Sequence, residues 1–134
     1  MKQLNKFNVL DEGLVINKIS KSYGKKQIVR DISIKLNKGE IAGLLGPNGA
    51  GKTSTFYMIV GLIKPDSGSI YLDKTDVSNF PIYIRGKKGI GYLPQEPSIF
   101  RGMNVEDNLM SIIEIIEKDK SKRQIIMENL LNEF

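Results

Sequence analysis

The stretch Gly46-Pro-Asn-Gly-Ala-Gly-Lys-Thr53 constrains this chain more than any other feature. It satisfies the pattern G-x-x-x-x-G-K-[ST] in full. The almost wholly apolar run Ile41–Leu45 precedes it, and a segment with helical spacing, Lys52–Leu62, follows it. Strand, glycine-rich loop and helix in that order form a phosphate cradle. Glycines let successive backbone N–H groups turn toward anionic oxygens, and the helix start adds the positive end of its dipole. In such a loop Lys52 reaches the β- and γ-phosphates of a nucleotide, Thr53 offers its hydroxyl to Mg²⁺, and Ser54 adds a phosphate contact. The backbone of Gly46, Pro47, Asn48, Gly49, Ala50 and Gly51 supplies the rest.

The surrounding pattern is that of an α/β protein. Leu14–Ser20 and Ile28–Leu36 alternate as strands, joined by the turn Ser22-Tyr-Gly-Lys-Lys26. Ile41–Leu45 reads as a buried strand of a parallel sheet. Phe56, Ile59, Val60 and Ile63 mark the apolar side of the helix after the loop. Lys64-Pro-Asp-Ser-Gly68 ends that helix and leads into a strand over Ser69–Asp73. Pro81–Lys87 suits a short helix opened by proline, Gly89–Leu93 a strand, and Pro94–Gly102 a loop. Asn104 is placed to cap a helix whose apolar face is Val105, Leu109, Ile112, Ile113 and Ile116. Ser121-x-x-Gln124 predicts a capping box for a last helix with Ile126, Leu130, Leu131 and Phe134 on one face. The sequence ends at Phe134 within that stripe, and the expectation is a truncated domain.

Composition closes off several chemistries. The chain has no cysteine and no histidine, so neither a disulfide, a thiolate metal site nor a catalytic imidazole can come from it. The net charge of +5 is carried by scattered lysines without interleaved aromatics, which favours a solvated surface over a nucleic-acid interface. No apolar run approaches the ~18 residues of a membrane span. Met1–Leu10, with Lys2 and Lys6, lacks the apolar core of a signal peptide.

The loop with its flank, Leu44-Leu-Gly-Pro-Asn-Gly-Ala-Gly-Lys-Thr53, resembles that of the ABC-transporter ATPases. Three further features agree with that family. Tyr23 stands where its members carry an aromatic that stacks on adenine. Gly61-Leu-Ile-Lys-Pro-Asp-Ser-Gly68 is similar to their helix-end turn. Gly91-Tyr-Leu-Pro-Gln-Glu96 resembles their Q-loop, in which Gln95 would touch the Mg²⁺ shell and the attacking water. Within the family, Thr53–Gly61, Gly89–Arg101 and Val105–Met110 are most similar to the ATPases of lipopolysaccharide export, while the ATPases of branched-chain amino-acid importers are an alternative. Ser54 departs from the usual threonine and keeps the hydroxyl.

The resemblance implies an N-terminal antiparallel β-subdomain, a partial RecA-like core and the start of the helical subdomain. Residues 1–95 would form the ATP-binding core and 96–134 the start of that subdomain. ATP and Mg²⁺ are the implied ligands. A second copy of the ATPase and two transmembrane permease subunits are the implied partners, with Phe100 and Arg101 in the groove that receives a permease. The implied location is the cytoplasmic face of the inner membrane, reached only through the permeases. The family's Ser-Gly-Gly-Gln signature loop, its Walker B strand and catalytic glutamate, and its switch histidine do not occur in the sequence. Glu96 is no substitute, since it follows Gln95 in a loop. The 134 residues alone are therefore expected to bind nucleotide without turning it over, and to leave apolar surface uncovered around Ile41–Leu45.

Overall fold

Ile16 and Ile19 are three residues apart, a spacing that puts two side chains on opposite faces of a regular strand. Both are nonetheless fully buried in one cluster. A bulge reconciles the two facts. The computed structural model of the chain, which describes residues 12–133, pairs Ile16 with Ile34 and Ile19 with Ile32, so two residues of one strand face one of the other. Lys18 takes a positive φ of 48° there, and its N–H donates to Ser33 Oγ at 2.9 Å. A second irregularity, at Asp31 (φ 46°), is held by Ser20, whose Oγ accepts from Asp31 N at 2.9 Å.

Strands β1 (Leu14–Tyr23) and β2 (Lys26–Leu36) form a long antiparallel hairpin. The helix α1 (Lys52–Val60) follows, then β3 (Ser67–Leu72) and the short β4 (Thr75–Asp76). The sheet order is β2-β1-β3-β4, antiparallel throughout. Asp73 and Lys74, both at positive φ, make the two-residue turn between β3 and β4. Asp73 also accepts from Gly13 N at 2.8 Å and pairs with Lys38 at 3.2 Å; these contacts hold its carboxyl below the usual carboxylate range. The core joins Ile16, Ile19 and Ile70 of the sheet with Val29, Met58 of α1 and Val77. Dispersion and burial favour this cluster by roughly 1.5–3 kcal/mol per fully buried large aliphatic side chain.

The short helix expected here follows as α2 (Ile82–Lys87), with Pro81 in an extended conformation at its N-cap and not in its first turn. The chain divides into two compact units, one ending at Tyr92 and one beginning at Leu93. The second holds α3 (Val105–Ile116) and α4 (Lys120–Glu133), packed on each other. Asn104 caps α3 as expected, accepting from Asp107 N at 2.7 Å.

Several expectations are corrected. Ile41–Leu45 forms no strand, and Ile41 is 99% and Leu45 93% exposed. A strand exists only beside a hydrogen-bonding neighbour, and no described strand lies alongside this segment. Gly89–Leu93 is irregular for the same reason. On α1 the buried positions are Thr55, Met58 and Val60, while Phe56 is largely exposed. Of the apolar face of α3 only Ile113 is buried. The cap before α4 is Asp119, which accepts from Ser121 N at 2.9 Å; Gln124 pairs with Glu128 instead of closing a box with Ser121. Phe134 and the N-terminal segment Met1–Leu10 lie outside the described residues.

Gly61 ends α1 in the left-handed region at φ 86°, with its N–H on Tyr57 O at 3.1 Å. A Cβ there would stand 2.9 Å from Arg85 Nε and 3.0 Å from Phe80 O. Gly61→Ala is expected to destabilise the fold by about 1–2 kcal/mol from backbone conformation alone, and by more from the contact. A lowered urea midpoint with an unchanged slope would register it.

Candidate functional site

The phosphate-loop residues gather at the N-terminus of α1. Gly49 (φ 78°) and Gly51 (φ 85°) both need the left-handed region, which explains two of the loop's glycines. Gly51 carries a second constraint. A Cβ on it would meet Ile28 O at 2.6 Å and Val29 Cγ2 at 3.0 Å, so β2 abuts the start of the helix. No side chain caps α1, and its first turn carries no acidic residue. That end is suited to an anion, because its N–H groups and dipole face no competing carboxylate. Thr55 closes the first helical turn onto Gly51 O, through its N–H at 2.9 Å and its hydroxyl at 3.0 Å.

Lys52 folds back along the loop and donates to Gly46 O at 2.6 Å and Pro47 O at 2.8 Å. Its ammonium is thereby held at the loop rather than swinging in solvent. Thr53, next on the helix, is exposed, and Ser54 is half-buried. Gly46, Pro47, Asn48 and Ala50 lie on the surface, with Ala50 N donating to Pro47 O at 3.2 Å.

Tyr23 is the last residue of β1, paired with Lys26 and 51% exposed. Ile28, two residues beyond Lys26, is the residue whose carbonyl touches Gly51, so the hairpin end and the loop share one stretch of β2. Lys21 Nζ lies 5.8 Å from the centre of the Tyr23 ring while donating to Asp66 at 2.7 Å and Lys64 O at 2.8 Å. Asp66 also accepts from Ser22 N at 2.7 Å; Lys21, and then this bond, hold its carboxyl below the usual range. The hairpin end is thus pinned to the turn that follows α1. The pairing of exposed groups adds little stability and mainly fixes position.

Sequence reasoning missed Arg85. It is 1% exposed and donates to four backbone carbonyls: Nη1 to Met58 O and Ile59 O, both at 2.6 Å, Nη2 to Ser78 O at 2.9 Å, and Nε to Phe80 O at 2.7 Å. Two of these acceptors are at the C-terminal end of α1, where the dipole favours a cation and the helix has no basic residue of its own. Burial lowers the affinity of the guanidinium for its proton, with Asp76 opposing, yet an arginine stays charged. Beside it a cleft of about 260 Å³ is lined by Leu62, Ile63, Asn79 and Phe80 among others. The only signal in the sequence is an arginine among many lysines: the forked guanidinium can satisfy several fixed carbonyls, which an ammonium cannot match.

Gln95 lies in the second unit, exposed, in the irregular segment before α3. Phe100 is 61% exposed, and Arg101 is exposed beside it. Asn108 of α3 organises this loop. Its Oδ1 accepts from Phe100 N at 2.7 Å, and its Nδ2 donates to Phe100 O, Met103 O and Asn104 O at 3.1, 3.2 and 2.9 Å. Sequence patterning marked the helix cap and not this second asparagine.

A glycine-rich loop feeding an uncapped helix beside an antiparallel hairpin defines a phosphate-loop nucleotide-binding protein. The match of residues 29–134 to the ABC transporter family narrows that class, and the chain belongs to this family. It is 54% identical over 116 residues to a probable ABC transporter ATP-binding protein of Azorhizobium caulinodans, covering 87% of this chain and 41% of that protein. It is 47% identical over 122 residues to the lipopolysaccharide export system ATP-binding protein LptB of Escherichia coli K12, covering 90% and 51%. A solved ATP-binding cassette of an ABC transporter, in its ADP conformation, superposes with a TM-score of 0.70 at 30% identity, covering 86% of this chain and 45% of that one. The fold is thus that of ABC ATPase domains, and the chain spans about half the length of the relatives it matches.

The two left-handed glycines of the loop differ in a testable way. A Cβ on Gly49 would meet nothing within 4 Å, whereas one on Gly51 would strike β2. Gly49→Ala is expected to cost about 1–2 kcal/mol, and Gly51→Ala clearly more, with denaturant unfolding of the two variants side by side as the measurement.

Proposed function

We propose that this chain is the ATP-gripping part of an ABC-transporter ATPase that hydrolyses ATP to drive lipopolysaccharide export. The observation that supports nucleotide binding most is the arrangement at α1: left-handed glycines, an uncapped helix start and an ammonium tethered at the same loop. In this reading Tyr23 stacks on the adenine, the backbone of Gly46–Thr53 takes the phosphates, and Lys52 neutralises the β- and γ-phosphates. Ser54 adds a phosphate contact. The described residues contain no cluster of three or more acidic, histidine or cysteine side chains able to hold a metal. Mg²⁺ is commonly held by one or two protein oxygens, substrate phosphates and water, and the exposed Thr53 at the start of α1 carries a hydroxyl of that kind. Thr53 would hold the ion, which neutralises developing phosphate charge when bound. Gln95 would orient the attacking water, since an amide donates and accepts at once.

Export of lipopolysaccharide is supported by the likeness to LptB, named for that system. The Azorhizobium relative carries no such substrate in its name, and an ATPase of another ABC transporter is the second reading. A second copy of the ATPase and two permeases are the proposed partners, and the proposed location is the cytoplasmic face of the inner membrane. Among the described residues no helix is long and apolar enough to cross a membrane.

Two variants of the full-length protein test this reading. Lys52→Ala is expected to remove most Mg-ATP affinity, and equal affinities in a calorimetric titration would refute the assignment. Phe100, exposed beside Arg101 on a loop fixed by Asn108, is the proposed permease contact. Phe100→Ala should keep ATP binding and weaken co-purification with the permeases, by a margin typical of aromatic hot spots, about 2 kcal/mol or more. Normal co-purification with normal transport would place the groove elsewhere.

A further inference from the structure

Lys21 is a lysine with little freedom. Its side chain is 17% exposed, and its ammonium donates to Asp66 Oδ1 at 2.7 Å and to Lys64 O at 2.8 Å. An ion pair open to water adds little stability, and holding a long side chain in one geometry costs rotamer entropy. What the contact supplies is a fixed place for the ammonium, over the Tyr23 ring and 5.8 Å from its centre. At that range a cation is attracted to the electron-rich face of an aromatic ring. Asp66 holds the backbone too. Its Oδ2 accepts from Ser22 N at 2.7 Å, and its own N–H donates to Ser20 O at 2.9 Å. The three residues before Tyr23 are thus all tied to the turn that follows α1. The hairpin meets the start of α1 as well, since Ile28 O lies 2.6 Å from where a Cβ on Gly51 would stand. Tyr23 itself remains 51% exposed. A ring with a held cation against it and half the residue open presents a fixed plane to whatever stacks there.

We propose that Lys21 and Asp66 are positioning residues for base recognition, acting through Tyr23. Asp66 fixes Lys21, Lys21 fixes the plane of the ring, and the ring receives the adenine. The inference rests on the reading above in which Tyr23 stacks on the base. It requires that loss of the ammonium weaken the hold on the base and spare the hold on the phosphates. The groups assigned to the phosphates, the backbone of Gly46–Thr53 and Lys52, are separate from this cluster.

The experiment uses the full-length protein as wild type, Lys21→Met, Asp66→Ala, Tyr23→Ala, and Lys21→Met combined with Tyr23→Ala. Affinities for Mg-ATP and for Mg-tripolyphosphate, which has the phosphates and no base, are measured by calorimetry. Methionine keeps most of the lysine stem and loses the charge. Lys21→Met and Asp66→Ala are each expected to weaken ATP binding by about fivefold, the scale of a cation–aromatic contact near the surface. Tripolyphosphate binding should stay within about twofold in both, which also shows that the phosphate loop is still folded. With Tyr23→Ala in place, Lys21→Met should have no further effect. Lys21→Arg, which keeps a cation that pairs with a carboxylate and lies on aromatic faces, should hold ATP within about twofold of wild type. Unchanged ATP affinity in Lys21→Met would overturn the proposal. Equal losses for the two ligands, or a full additional loss in the Tyr23→Ala background, would overturn it too. If Tyr23→Ala binds ATP as tightly as wild type, the stacking reading fails and the proposal with it. A weakened Tyr23→Ala beside an unaffected Lys21→Met would sink the proposal alone.

Discussion

The bonds from the Arg85 guanidinium to the carbonyls of Met58, Ile59, Ser78 and Phe80 hold the first unit together at its most polar buried point. Without them the last carbonyls of α1 would be buried with no donor, each at a penalty of about 1–3 kcal/mol. Gly61 depends on the same contact, since the guanidinium occupies the space a side chain there would need. The helix that presents Lys52 and Thr53 at one end is therefore anchored by a cation at the other. Its dipole is complemented at the C-terminus and left open at the N-terminus. The arrangement concentrates unsatisfied donors where phosphate chemistry is expected and removes unsatisfied acceptors where it is not.

Features set by local rules were legible in the sequence. The loop, α1, the proline-opened α2 and the asparagine cap of α3 each follow from residue types within a few positions of one another. What could not be read depends on partners distant in the chain. Ile41–Leu45 has the composition of a buried strand, but composition does not supply the neighbour that makes a strand. The bulge at Lys18 was hidden because a lysine at positive φ carries no local mark, and only the shared burial of Ile16 and Ile19 reveals it. Met58 of α1 was overlooked in favour of Phe56, because helical periodicity gives a face and not which residues the sheet covers. Arg85 is the extreme case: its four acceptors lie 5 to 27 positions away.

At the site, sequence indicated residue types better than geometry. The loop residues lead into α1, and Ile28 of β2, two residues beyond Tyr23's partner Lys26, lies against Gly51. The grip of Lys21 on Asp66 beside Tyr23 was not foreseen, as it joins β1 to a turn 45 positions on.

Asn108 has a consequence of a different kind. Its amide oxygen accepts from Phe100 N and its two N–H groups are shared among the carbonyls of Phe100, Met103 and Asn104, which ties the Phe100–Asn104 loop to α3. Loop ordering on association costs about 0.5–1.5 kcal/mol for each immobilised flexible side chain, in addition to the backbone. A loop already ordered within its own subunit leaves only the side chains of Phe100 and Arg101 to be stilled on contact. The entropy lost on encounter is correspondingly small, so even a modest apolar contact at Phe100 can be retained as binding strength.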